Sequence, residues 1–304
     1  MTERKSETLL GIDRNIVIQV MAGGGSGLTS KTATAPLERI KILMQLQGMH
    51  HETKYKGILH TAVLIVKEEG WMALFKGNFA NVIRVAPNYA IKFTMNDSIK
   101  EIVRRPGQKD NEFTFTQMMV SGTIAGLTQI TLTYPLEVIR TRITLPSSQI
   151  VGGPYRGIWD CAVRSVRTEG ITSLYKGIGP TFISGAPYTG LTMTFYELFK
   201  RFFPTDADGR SSGAYKLWSG AFAGLIAQTI TYPGDTLRRR MQTNGLSGSE
   251  RLYNNSWDAC VKIVRTEGWK AFFKGMNANT IRCVPGAAIQ FATYDMIKEF
   301  FQNL

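Results

Sequence analysis

Pro36-Leu37-Glu38-Arg39-Ile40-Lys41 decides how the rest of the chain is read, because its pattern occurs twice more. It returns as Pro135-Leu136-Glu137-Val138-Ile139-Arg140 and as Pro233-Gly234-Asp235-Thr236-Leu237-Arg238. Each copy is a proline, one residue, an acid, two residues and a base. In a helix, an acid and a base three positions apart share a face, and the proline bends the helix just before them. A single hexapeptide of this kind says little. Three of them, about 100 residues apart and each closing a mostly uncharged stretch, predict a threefold repeat.

The 304 residues therefore read as one body of three units, 1–108, 109–209 and 210–304, rather than as two ordinary domains. Hydrophobic residues make up 43% and mean hydropathy is −0.09, mild for a membrane bundle. Yet 118–136, 178–196 and 217–234 carry no charge, each close to the ~20 residues that span a bilayer. They are rich in Gly, Ser and Thr, as in helices that pack closely in lipid or line a wet cavity. The net charge of +13 predicts anionic partners. Because the bases recur at threefold positions instead of forming one patch, no nucleic acid is expected. Three cysteines without a C-x-x-C pair indicate neither a zinc site nor a disulfide framework, and they read as small buried residues. The adjacent His50 and His51 sit in a polar loop without ligand spacing, so no metal is expected. The first fifteen residues mix acids and bases without an apolar core, which excludes a secretory signal and makes any targeting internal.

Within each unit the same order recurs. A bent first helix, over 15–47 in the first unit, carries Gly23-x-x-x-Gly27; Gly122-x-x-x-Gly126 and Gly220-x-x-x-Gly224 take the same place later. Such small faces suit close helix packing. A short amphipathic helix follows, over 58–67 in the first unit, stopped by Glu69-Gly70, with Glu169-Gly170 and Glu267-Gly268 as counterparts. Then come Phe75-Lys76-Gly77, Tyr175-Lys176-Gly177 and Phe273-Lys274-Gly275, read as interfacial anchors with a lysine for phospholipid headgroups. The second long helix ends on another acid–base pair: Asp97/Lys100, Glu197/Lys200 and Asp295/Lys298. Tyr196 and Tyr294 precede two of these acids, and Asn96 the third. Linkers rich in Pro, Gly and charge fall at 105–111 and 204–213.

These motifs closely resemble the mitochondrial carrier family over essentially the whole chain. The resemblance implies an all-α membrane protein of six transmembrane helices in three pseudo-symmetric repeats, each two spanning helices plus a short matrix helix. It also implies a central cavity, the mitochondrial inner membrane, and both termini on the cytosolic side. A matrix gate would pair Glu38 with Arg140, Glu137 with Arg238 and Asp235 with Lys41. A cytoplasmic gate would pair Asp97 with Lys200, Glu197 with Lys298 and Asp295 with Lys100. Desolvation offsets much of the attraction in such pairs, which suits a switch. Gln45 and Gln242 look like the family's glutamine braces, with Thr144 in the second repeat; Tyr196 and Tyr294 brace the other gate.

Charge at membrane depth is a functional hypothesis by default. Lys31, Arg84, Lys92 and Arg282 suit a substrate with more than one phosphate, and Asn88, Tyr188, Thr231 and Gln290 offer hydrogen bonds or a ring contact to a base. The run from Lys31 to Lys41 resembles ADP/ATP and related adenylate carriers, in which Lys31, Arg84 and Thr231 fall at nucleotide contacts. Arg238-Arg239-Arg240-Met241 begins as the ADP/ATP carrier hallmark does, but Gln242-Thr243 departs from it. Residues 227–233 and 281–285 look more like coenzyme A carriers, and Pro187-Tyr188-Thr189-Gly190 is shared with coenzyme A and ATP-Mg/phosphate carriers. The expected function is exchange of adenine nucleotides by alternating access; the alternative is a coenzyme A or adenosine 3′,5′-bisphosphate carrier. No cofactor, no calcium control and no catalysis are expected, since no phosphate loop or metal-binding carboxylate set is present. A phospholipid partner, cardiolipin, and a monomeric state complete the expectation.

Overall fold

The computed structural model describes residues 8–9, 12–49, 54–104, 114–200, 213–246 and 249–302. His50, His51 and the predicted linkers lie outside them, apart from Gly213. Thr8–Leu9 (β1) pairs antiparallel with Ile12–Asp13 (β2), and the rest of the described chain is mostly helical. The helix expected over 15–47 divides into α1 (Arg14–Ala33) and α2 (Ala35–Leu46). Pro36 stands in the first turn of α2, where its missing N–H is not needed. The counterparts α5 (Phe115–Thr144) and α8 (Gly213–Thr243) run through Pro135 and Pro233 without a break.

The short helices are α3 (Ile58–Glu69), α6 (Ile158–Glu169) and α9 (Ser256–Glu267). Each stops on a glycine, with φ of 87°, 83° and 80° at Gly70, Gly170 and Gly268, a region that side chains with a Cβ avoid. One 3-10 turn later begin α4 (Asn78–Val103), α7 (Ile178–Lys200) and α10 (Met276–Gln302). The long helices pack as α1 with α10, α4 with α5 and α7 with α8.

The buried apolar core gathers where α2, α5 and α8 end. Ile42, Leu46, Ile139, Leu145, Met241 and Leu246 pack there against Cys161, Ala259, Ile263 and Phe272. Cys161 is fully buried, but Cys260 and Cys283 are half-buried, a correction to the expectation that all three are core residues. Among the described residues no helix is long and apolar enough to cross a membrane. The uncharged stretches have the length but are diluted by small polar residues.

The Gly-x-x-x-Gly faces do not act as expected. A Cβ on Gly23, Gly27, Gly122, Gly126, Gly220 or Gly224 would meet nothing within 4 Å. At each of these six positions a Cβ would stand in open space. The close approach falls on Gly25 instead, where a Cβ would lie 2.7 Å from Ile297 Cδ1.

Candidate functional site

The three acid–base motifs converge into a ring. Glu38 Oε1 lies 2.6 Å from Arg140 Nη2, Asp235 Oδ2 lies 2.7 Å from Lys41 Nζ, and Glu137 pairs with Arg238. The pairs join α2 to α5, α5 to α8 and α8 to α2, so the ring closes on itself. All six side chains are mostly buried, between 6% and 18% exposed. Burial of this kind leaves a pair with small net worth, while removal of one partner is costly. The ring is therefore specific without being strong.

The braces differ from joint to joint. Gln45 Nε2 reaches Asp235 Oδ2 and Thr236 Oγ1, each at 3.4 Å. Gln242 does not touch its ion pair: it donates to Tyr134 Oη at 3.3 Å and accepts from Thr141 Oγ1 at 2.8 Å. Thr144 turns back to Arg140 O at 2.8 Å. Gly234 replaces the leucine of the other two motifs for a steric reason, since a Cβ there would lie 2.6 Å from Ser184 Cβ.

A second layer lies beneath the ring. Arg142 grips Glu169 through both terminal nitrogens at 2.7 and 2.8 Å, and Lys176 joins it at 2.6 Å. Arg240 and Lys274 share Glu267 in the same way, while Arg39 at 3.0 Å and Lys76 at 3.2 Å share Glu69. Burial opposes ionisation of Glu169 and Glu267, but hydrogen bonds from these bases outweigh it and hold both carboxyls below the usual value. The lysines of the aromatic-Lys-Gly triplets are thus occupied within the protein. Lys76 Nζ also donates to Leu145 O at 3.0 Å and Lys176 Nζ to Asn244 O at 2.7 Å, capping the next repeat's helix. This corrects their reading as headgroup contacts: a carboxylate and free carbonyls of the same molecule lie within reach.

The expected substrate residues are dispersed around the ring. Lys31, half-buried, makes no ion pair or hydrogen bond with any described side chain. Arg84 Nη1 lies 3.9 Å from Glu137, and Arg282 Nη2 donates to Asn279 Oδ1 at 3.3 Å. Asn88 Oδ1 accepts from Gln129 Nε2 at 2.7 Å, and Thr231 Oγ1 donates to Ala227 O at 2.9 Å. Tyr188 and Gln290 are exposed. The Lys92 side chain lies outside the described residues, as do those of Asp97, Lys100 and Lys200. In the second ring, Glu197 and Asp295 are exposed, and Tyr196 and Tyr294 are half-buried.

Sequence reasoning missed Arg239, which is 7% exposed. It approaches Glu137 to 3.4 Å and donates to Thr141 Oγ1 at 2.6 Å. It also missed Tyr134 and Tyr232 before the gate prolines, and the bases holding Glu69, Glu169 and Glu267. The signal for the last was present: each acid precedes the triplet lysine by the same seven residues.

The family profile described as mitochondrial carrier protein matches three times, over residues 13–107, 111–207 and 209–304. Helical repeats closed by ion pairs, matching that profile throughout, define a solute carrier. The chain belongs to the mitochondrial carrier family, whose members are multi-pass transporters of the inner mitochondrial membrane. It is 35% identical over 310 residues to an uncharacterized mitochondrial carrier of Saccharomyces cerevisiae, covering 96% of this chain and 94% of the relative. It is 35% identical over 311 residues to a mitochondrial adenine nucleotide transporter of Arabidopsis thaliana, covering 94% and 87%. Mitochondrial carrier protein CoAc1 of the same plant is 35% identical over 300 residues, covering 93% and 89%.

Proposed function

We propose that this carrier exchanges adenine nucleotides across the inner membrane by alternating access, the first ring serving as matrix gate and the second as cytoplasmic gate. The observation that carries this reading is a surplus of buried cationic donors around the gate. Three acids face Lys41, Arg140 and Arg238, while Arg239, Arg84, Arg282 and Lys31 stand beyond neutrality. The Nε groups of Arg84, Arg238, Arg239 and Arg282 are buried without a partner. Unpartnered buried donors are unfavourable unless a ligand supplies acceptors, and a polyphosphate supplies many. Lys31, Arg84, Lys92 and Arg282 are the proposed phosphate contacts, with Asn88, Tyr188, Thr231 and Gln290 for the base. The carrier works as a transporter without covalent catalysis, through six spanning helices with both termini on the cytosolic side. Exposed Trp71, Trp159, Trp257 and Trp269 around the short helices suit a bilayer interface, where cardiolipin is the proposed lipid.

The likeness to the CoAc1 protein, equal in identity to that of the nucleotide transporter, favours coenzyme A or adenosine 3′,5′-bisphosphate as the second reading. A thermal-shift panel of ADP, ATP, AMP, coenzyme A, adenosine 3′,5′-bisphosphate and phosphate separates them, because a ligand of the folded state raises Tm by mass action. Stabilisation by ADP or ATP supports nucleotide exchange. A response to coenzyme A or the bisphosphate alone replaces it with the second reading.

A further inference from the structure

The three joints of the ring are built differently, and the difference traces to the residue before each gate proline. Repeats 2 and 3 place Tyr134 and Tyr232 there, both fully buried; repeat 1 places Ala35. Tyr134 Oη donates to Lys176 O at 3.0 Å and lies 3.3 Å from both Gln242 Nε2 and Thr181 Oγ1. Tyr232 Oη donates to Lys274 O at 3.2 Å. Their rings stack on Tyr175 and Phe273. Each ring thus fills the corner where the triplet glycine meets the next repeat. A Cβ on Gly177 would lie 2.9 Å from Arg238 O and 3.0 Å from Tyr134 Oη; on Gly275, 2.9 Å from Lys41 O and 3.2 Å from Tyr232 Oη.

At the matching corner of repeat 1 a methyl stands in place of the ring. A small cleft remains, with room for about one water molecule, lined by Ala35, Lys76, Gly77, Asn81, Arg140 and Thr144. Asn81 is 1% exposed and its Oδ1 has no partner, whereas Thr181, in that place in repeat 2, reaches the tyrosine hydroxyl. The same joint has no glutamine brace. Across it run the Glu38–Arg140 pair, the 3.9 Å approach of Arg84 to Glu137, the hydrogen bond from Gln129 to Asn88 and the contacts of Lys76 with Leu145 O and Ser147 Oγ. The Glu137 joint holds its acid with Arg238 and Arg239, and Gln242 reaches across it to Thr141 and Tyr134. The Asp235 joint adds Gln45, and Lys41 lies 5.3 Å from the centre of the Tyr232 ring.

We infer that the gate parts first between repeats 1 and 2, beside Ala35, and last at Glu137. This rests on the reading of the ring as a gate. A cleft in place of the ring forfeits dispersion contacts. Buried atoms without partners occur at every joint, Asn81 Oδ1 here, Arg238 Nε and Arg239 Nε at the second and Gln45 Oε1 at the third, so the weakness of this joint lies in its missing ring and missing glutamine brace.

The test uses the full-length carrier. Without substrate, amide deuterium uptake in residues 138–146 of the wild type should exceed that in the equivalent 236–244. Ala35→Tyr supplies the absent ring, and Thr144→Gln the absent brace by a smaller change. Each should raise Tm by about 2–4 °C and slow exchange in proteoliposomes about fivefold. Equal uptake in the two segments overturns the inference, as does a gain in Tm with exchange unchanged. Should Ala35→Tyr not fold, Thr144→Gln and the wild-type uptake decide. A wrong substrate assignment is distinguishable, because it leaves the uptake order intact while the nucleotides fail to shift Tm.

Discussion

Replacing Glu169 by Gln tests how the layer beneath the ring is held. The Glu169 side chain is 3% exposed and receives Arg142 at 2.7 and 2.8 Å and Lys176 at 2.6 Å. Neutralising it leaves two cations facing an amide. Removing one partner of a buried pair costs about 3–5 kcal/mol, and with two cations sharing the acid the upper end applies. Arg142→Met should be milder, about 3 kcal/mol, because Lys176 still neutralises Glu169. At roughly 2–4 °C per kcal/mol, Glu169→Gln should melt about 10–20 °C lower and Arg142→Met about 6–12 °C lower. The readout is within the protein. Cys161, two turns before Glu169 on α6, is fully buried, and burial pushes its thiol up to about 12. It should stay silent toward a thiol-reactive dye until α6 detaches, once Cys260 and Cys283 are replaced by Ser. If Glu169→Gln melts at or above Arg142→Met, the charge argument fails and Arg142 acts through packing of its stem.

Glu137→Arg should abolish exchange, and adding Arg238→Glu should restore a minor part, because Arg239 and Arg84 still face position 137. Further adding Arg239→Gln should raise that rescue; proteoliposome exchange showing none in either background counts against the pairing. Arg84→Ala should remove the substrate-induced rise in Tm while leaving the ligand-free Tm close to wild type; the converse makes Arg84 structural. Gly177→Ala should destabilise by about 1–3 kcal/mol, more than Gly170→Ala. Both have φ near +83°, but a new Cβ at Gly177 meets Arg238 O at 2.9 Å and at Gly170 meets nothing. Finally, the depressed carboxyls of Glu169 and Glu267 contribute stability that is complete above the ordinary value of 4.5 and is lost as pH falls through their lowered ones. Tm measured from pH 7 to 3 should hold steady and then drop below about pH 4.5, less steeply in Glu169→Gln.

The repeat was legible because charge and proline recur in register, and these residues report local geometry directly. The partners of Glu38, Glu137 and Asp235 could be named because each acid faces the base of the next copy. What stayed hidden depends on distance across the bundle. Nothing local distinguishes Arg239 from its exposed kind, and its burial is set by α5. Gly23 and Gly27 carry a packing motif, yet in this arrangement their face meets open space. Lys76 and Lys176 read as surface charges because their carbonyl partners belong to another repeat. The break after Ala33 was also unforeseen, since the equivalent prolines sit inside unbroken helices.

The lysine caps have one more consequence. Lys76 completes the helix end of repeat 2 and Lys176 that of repeat 3, while Arg240 donates to Gln45 O and Gln47 O of repeat 1. No repeat finishes its own terminus. In an open array, each added unit contributes a similar increment and the ends can fray. Here the last unit to emerge from the ribosome supplies what the first lacks. The chain should therefore acquire its stability in one step, when the third repeat is made and the circle shuts. A fragment of two repeats would be left with one uncapped helix end on one side of the gap and a base without its carbonyl acceptor on the other.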